Sequence, residues 1–239
     1  MMYPFPHIPA TLGSTREALH RLATYVIAPT RHRATERFGL RSTPPGFGTP
    51  PFDGRQIRVE GSELVDDQAG ETRRQPITTL TAAAQFLHGE IDTETAAEHD
   101  SPAVGDTHAD LGVDAGASLF LGAWYEMAFT ALQAVGAEDG SVDASEAQLW
   151  PGHFDAAIEI GDEDHRASYG ASAGDHAIDE PYLYVSVWWP DKIGIDTTDP
   201  IWNSESFVGA MLKLSDFPDD DDPVEVAASF WRRIRDAIG

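Results

Sequence analysis

Tyr182-Leu183-Tyr184-Val185-Ser186-Val187-Trp188-Trp189 alternates aliphatic with aromatic or polar side chains as far as Trp188. Successive side chains of a strand point to opposite faces. The stretch therefore predicts a strand with Leu183, Val185, Val187 and Trp189 on one face and Tyr182, Tyr184, Ser186 and Trp188 on the other. Working outward, Leu149–Ile160 predicts a second strand, with Phe154, Ala156, Ile158 and Ile160 inward and His153, Asp155 and Glu159 outward. Phe207–Leu214 predicts a third, with Val208, Ala210, Leu212 and Leu214 opposite Phe207, Gly209, Met211 and Lys213. One apolar and one polar-aromatic face on each strand is the pattern of an antiparallel sheet.

The rest of the chain adds helices and a hairpin. Ser14-Thr15-Arg16-Glu17 reads as a capping box, and Leu19, Leu22, Ala23, Val26 and Ile27 follow at helical spacing until Pro29. A short basic helix is expected over 31–41, and the Pro/Gly-rich 43–51 reads as a loop. Residues 55–77 predict a hairpin turning at Gly61-Ser62 and a third strand from Thr72 to Ile77. A helix is expected over 78–88. Residues 89–112 hold seven acids and no base, the composition of a mobile linker. Val113, Ala117, Phe120, Leu121, Trp124, Met127, Ala128, Ala131, Leu132 and Val135 mark one wide apolar helix face. Asp219–Asp222 lead into a last helix with Pro223 in its first turn. The expected fold class is α+β, a mostly antiparallel sheet packed with helices. The organisation is a single domain over 1–239, or subdomains 1–88 and 113–239 joined by the linker 89–112.

Among the 239 residues, forty acids face sixteen bases, for a net charge of −24, and lysine occurs only at Lys192 and Lys213. Such a field disfavours nucleic acid and anionic membrane surfaces as partners. It also fits a salt-adapted surface. Residues 1–74 carry ten arginines against eight acids, so the first helix is expected to dock on acidic parts of the chain. The chain has no cysteine, which excludes disulfides and thiolate chemistry and fits a reducing cytoplasm. No apolar run is long enough for a membrane span, and the proline-rich first residues carry no apolar signal segment, so a secretory signal is not expected.

The polar-aromatic face is where chemistry is expected. His153, Asp155, Tyr182, Tyr184 and Trp188 form the candidate ligand-binding set, aromatic walls with a few polar groups being what a small-molecule pocket needs. A plain solvated sheet face is the competing reading. His153, Asp155 and His176 are the candidate metal ligands, with His165 and Asp175 as further donors, although no zinc or calcium spacing is matched. Gly170-Ala171-Ser172-Ala173-Gly174 satisfies Gly-x-Ser-x-Gly literally, but a nucleophile elbow is followed by a helix and here another strand follows.

Leu149-Trp150-Pro151-Gly152-His153-Phe154-Asp155, Tyr169-Gly170-Ala171-Ser172 with Gly174-Asp175, and Glu180-Pro181-Tyr182-Leu183-Tyr184-Val185 resemble a family of uncharacterised actinobacterial proteins. Gly46–Pro51 and Arg58-Val59-Glu60-Gly61 fit the same family, and Ala173 stands where a proline is expected. The C-terminal half is also similar to a bacterial domain of unknown function. The resemblance implies a cytoplasmic bacterial protein and brings no activity, cofactor or catalytic residue. Three functions follow as expectations: a protein binding a small molecule on the Tyr/Trp/His face, a non-catalytic protein–protein interaction protein with an acidic surface, or a metal-dependent enzyme using His153 and Asp155.

Overall fold

In the computed structural model the described residues are 5, 7–194, 198–205 and 207–239. The proline-rich start, Met1–Pro4 with Pro6, lies outside them. The elements are those of an α+β fold, with two five-stranded antiparallel sheets among the described residues. The chain divides into two compact units. The amino-terminal unit comprises Pro6–Glu126 and Leu149–Asp155, and the carboxy-terminal unit Met1–Phe5, Met127–Gln148 and Ala156–Gly239.

In the amino-terminal unit, α1 (Leu12–Leu22) begins at the Thr11 cap, ahead of the expected Ser14 box, and the Ser14 hydroxyl donates back to the Thr11 carbonyl at 3.1 Å. Leu12 already belongs to the buried stripe, which draws the helix start forward. Pro29 does not end it. The helix widens into a π turn (Ala23–Ile27) and continues as α2 (Ala28–Thr35). Proline has no N–H to give the carbonyl four residues back, and the Asp92 N–H supplies the Tyr25 carbonyl instead, at 3.1 Å. The helix expected over 31–41 stops at Thr35, and the 43–51 loop is largely a hairpin. β1 (Arg41–Thr43) and β2 (Gly46–Gly48) join the meander β3 (Arg55–Glu60), β4 (Glu63–Gln68) and β5 (Glu71–Pro76) in the order β1-β2-β3-β4-β5. The meander's arginines are matched within it: Arg55 and Arg73 both grip the fully buried Asp66, and Arg74 reaches Glu60.

The linker expectation for 89–112 is corrected. After α3 (Leu80–Phe86), the segment forms α4 (Thr93–Ala97), capped by Asp92 and burying Ala96 completely. The Leu111 N–H donates to Thr78 O at 2.7 Å, and the Tyr25 hydroxyl donates to Pro102 O. Arg33 of α2 lies 3.8 Å from Asp92. A few backbone bonds order a segment whose composition carries little apolar surface. The long helix α5 (Ala115–Gly136) starts on the Asp114 side chain, which accepts from Ala117 N–H at 2.8 Å. Its predicted apolar face is buried, apart from the partly exposed Val113 before it.

The second sheet runs β10-β9-β8-β7-β6, with β6 (Gln148–Trp150), β7 (Asp155–Ile160), β8 (Ala167–Ser172), β9 (Tyr182–Val187) and β10 (Gly209–Lys213). A short helix α6 (Pro190–Ile193) follows β9. In the carboxy-terminal unit, α7 (Pro223–Ile238) is capped by Asp222, buries Ala227, Ala228, Trp231 and Ile234, and donates the Trp231 indole N–H to the Tyr184 carbonyl at 3.2 Å. Arg232 and Arg235 each hold Glu138 at 2.7 Å, tying α7 to the chain that follows α5.

Candidate functional site

The predicted site residues are shared between the two units. His153 and Asp155 belong to the amino-terminal unit, and Tyr182, Tyr184, Trp188 and His176 to the carboxy-terminal one.

The expected strand Leu149–Ile160 is interrupted at 151–154 by a turn in which Phe154 takes φ +55° and its N–H returns to the Trp150 carbonyl at 2.7 Å. The alternation that put His153 and Asp155 side by side therefore fails. The His153 side chain is 67% exposed, with Asp100 4.0 Å away, whereas Asp155 is buried. A left-handed conformation at a bulky aromatic residue is rare and persists only where surroundings over-determine it.

Those surroundings are specific. The Thr24 hydroxyl donates to Pro151 O at 2.6 Å, the His20 Nε2 N–H to Gly152 O at 2.9 Å, and the Tyr125 hydroxyl to Phe154 O at 2.8 Å. His20 also stacks on Phe154, with ring centroids 5.3 Å apart. At Gly152 a Cβ would stand 1.7 Å from the His99 carbonyl oxygen, so only glycine allows the approach. Three carbonyls of the turn are thus each claimed by a different side chain. Burial lowers His20 to about 4, the neighbouring His153 and Arg16 adding to the effect against two backbone hydrogen bonds that oppose it. The imidazole is neutral at pH 7. Burial, then the Asp155 carboxylate, pushes the Tyr125 hydroxyl far up, with Arg16 pulling the other way, so Tyr125 remains a donor. Arg16 couples electrostatically to His20 and to Tyr125, and Asp155 to Tyr125, while His153 and Trp150 are exposed.

The carboxy-terminal unit carries the aromatic surface. The pairing Gly170↔Tyr184↔Met211 places these three on one face of β8, β9 and β10. The Tyr184 ring lies over Gly170, where a Cβ would meet it at 2.4 Å. Tyr182 stands 6.3 Å from Tyr184 on one side, and Phe207 6.2 Å away edge-on to it on the other. The Tyr182 hydroxyl donates to Asp175 at 2.9 Å. Trp188, past the end of β9, is exposed, donates to the Ser168 hydroxyl at 2.9 Å and carries the Arg166 guanidinium over its ring at 5.6 Å. Residues 169–172 belong to strand β8, and the missing side chain at Gly170 makes room for the tyrosine ring. Ser172 ends that strand with no helix after it, and its hydroxyl accepts from Gly174 N–H at 3.1 Å.

Of the further metal donors, His165 pairs with Asp162 at 2.9 Å and Asp175 is engaged by its own loop and by Tyr182, while His176 is exposed. Among the described residues no group of three or more His, Asp or Glu stands where it could hold a metal ion. No described helix is long and apolar enough to cross a membrane. No family model, curated protein or solved structure matches the chain. The sequence reading missed Arg16, His20 and Tyr125. The signal for the first two was present: Arg16 and His20 sit four apart within a stripe marked by Leu12 and Leu19, where polar residues face the core.

Proposed function

We propose that the protein binds a small planar organic ligand on the aromatic face of the carboxy-terminal unit, with Tyr184 as the platform and Tyr182, Phe207 and Trp188 beside it. The observation that supports this is the half-buried Tyr184 ring backed by Gly170. A ring held flat by a glycine is ordered in advance and loses little entropy when a ligand stacks beside it. The net charge of −24 favours a neutral or cationic ligand over nucleic acid. The cysteine-free composition supports a cytoplasmic setting. His153 and Asp155 are not part of this reading.

Neutral heteroaromatics such as adenosine and riboflavin should raise the melting temperature of the whole chain saturably, whereas glucose and acetate should not. A ligand at a hundred times its Kd adds roughly 2.7 kcal/mol to stability. Tyr184→Leu, which keeps an apolar side chain on Gly170 and removes the π face, should abolish the shift with the fold intact. If no heteroaromatic shifts the transition, or the leucine variant responds like the parent, the reading fails.

A further inference from the structure

Leu212 lies on the opposite face of β10 from Met211 by strand alternation, and it opens into a cleft of about 740 Å³ beside α7. The cleft floor is apolar, made by Leu212, Pro218, Val226 and Phe230. Asp216, Asp221, Asp222 and Glu225 rim it at or before the first turn of the helix, and Arg233 stands at the far end. The rise of a helix puts Arg233 about 12 Å beyond Glu225. Asp222 caps α7 and Glu225 lies 3.6 Å from Arg232, while Asp216 and Asp221 make no ion pair among the described residues.

We propose that this cleft binds a small lipophilic cation, an organic ammonium whose apolar body lies on Val226 and Phe230 and whose charged head sits among the four carboxylates. Size and charge choose the occupant. The volume falls within the range of small-molecule sites, and ten lining residues are far fewer than the twenty to thirty a side of a stable protein interface. A helix N-terminus alone attracts anions, but the four carboxylates outnumber the single cation Arg233 among the lining residues and invert the local sign. A cation above an apolar floor is also the group least opposed by a chain of charge −24.

Three probes of equal chain length test this by calorimetric titration of the full chain: octyltrimethylammonium, octyl glucoside and octanoate. The ammonium is expected to bind at a single saturable site, the glucoside more weakly and octanoate not at all. Amide chemical shifts should move at Leu212, Val226 and Phe230. Removing charge with Asp221→Asn and Glu225→Gln should weaken the ammonium about fivefold, the order expected for two partly exposed charge contacts. The matched double variant Glu94→Gln and Glu98→Gln, in the other unit, should leave its affinity unchanged, which separates the cleft from the general pull of an acidic chain. Absence of ammonium binding, equal binding of the three probes, equal effects of the two double variants, or shifts elsewhere would each overturn the proposal. Circular dichroism of each variant guards against loss of fold, and neither double variant touches the aromatic face, so this proposal and the Tyr184 reading fail separately.

Discussion

His20 shows how one residue carries both a hydrogen bond and a pH dependence. Folded, it takes its proton near pH 4, and its ordinary value is 6.5. Between those values the unfolded chain binds more protons, so stability falls as the pH drops through that window and owes nothing to this group above it. Linkage over that interval amounts to about 3 kcal/mol. His20→Gln keeps an N–H for the Gly152 carbonyl and does not titrate. Urea midpoints measured at pH 7.5, 5.5 and 4 should therefore fall less steeply for the variant than for the parent. Parallel curves would show that His20 is solvated. His153 illustrates the converse: its sequence context promised a pairing with Asp155, and a single left-handed residue at 154 removed it.

At the scale of elements, the meander β3–β5 turns on Asp66. Its carboxylate is fully buried and accepts from Arg55 at 2.7 and 3.1 Å and from Arg73. Arg55 also donates to Leu87 O at 3.1 Å, where α3 ends, and Arg73 lies over the Phe86 ring at 4.9 Å. One acid thereby fastens three strands to a helix. Asp66→Ala leaves two guanidinium groups without their shared partner and should cost about 3 kcal/mol in urea unfolding. A cost under about 0.5 kcal/mol would mean that both arginines turn out to water. The strands of this meander were legible because Ile57 and Val59 alternate with Arg58 and Glu60, Gly61-Ser62 turns the chain and Leu64-Val65 returns. The hairpin β1–β2 was not. At Gly46 and Gly48 a Cβ would stand 1.9 and 2.1 Å from carbonyls of β3, so the glycines that read locally as a loop are there for strand contact.

Over the whole molecule, the charge of −24 sets a self-repulsion that no single contact removes. Because exposed charges are screened within roughly 10 Å at 0.1 M salt and 3 Å at 1 M, the melting temperature should climb between low and molar potassium chloride. A falling transition would mean that the arginine pairs of the meander outweigh the repulsion.

Local sequence pattern sufficed for the α+β class, for the helices α3, α5 and α7, and for the strands β3, β4, β5 and β9. The helices, β3 and β9 each bury a regular face that leaves its period in the sequence, while β4 and β5 were legible from the turn at Gly61-Ser62 and the chain returning beyond it. Tertiary structure alone decided the rest. Pro29 sits inside a helix because a distant N–H, that of Asp92, serves the carbonyl it cannot. Residues 89–112 are ordered by backbone bonds that composition does not reveal. The turn at 151–154 exists because Thr24, His20 and Tyr125 claim its carbonyls from remote positions in the chain. A hydrogen bond between residues a hundred apart has no period, so no reading of neighbours along the chain could have placed it.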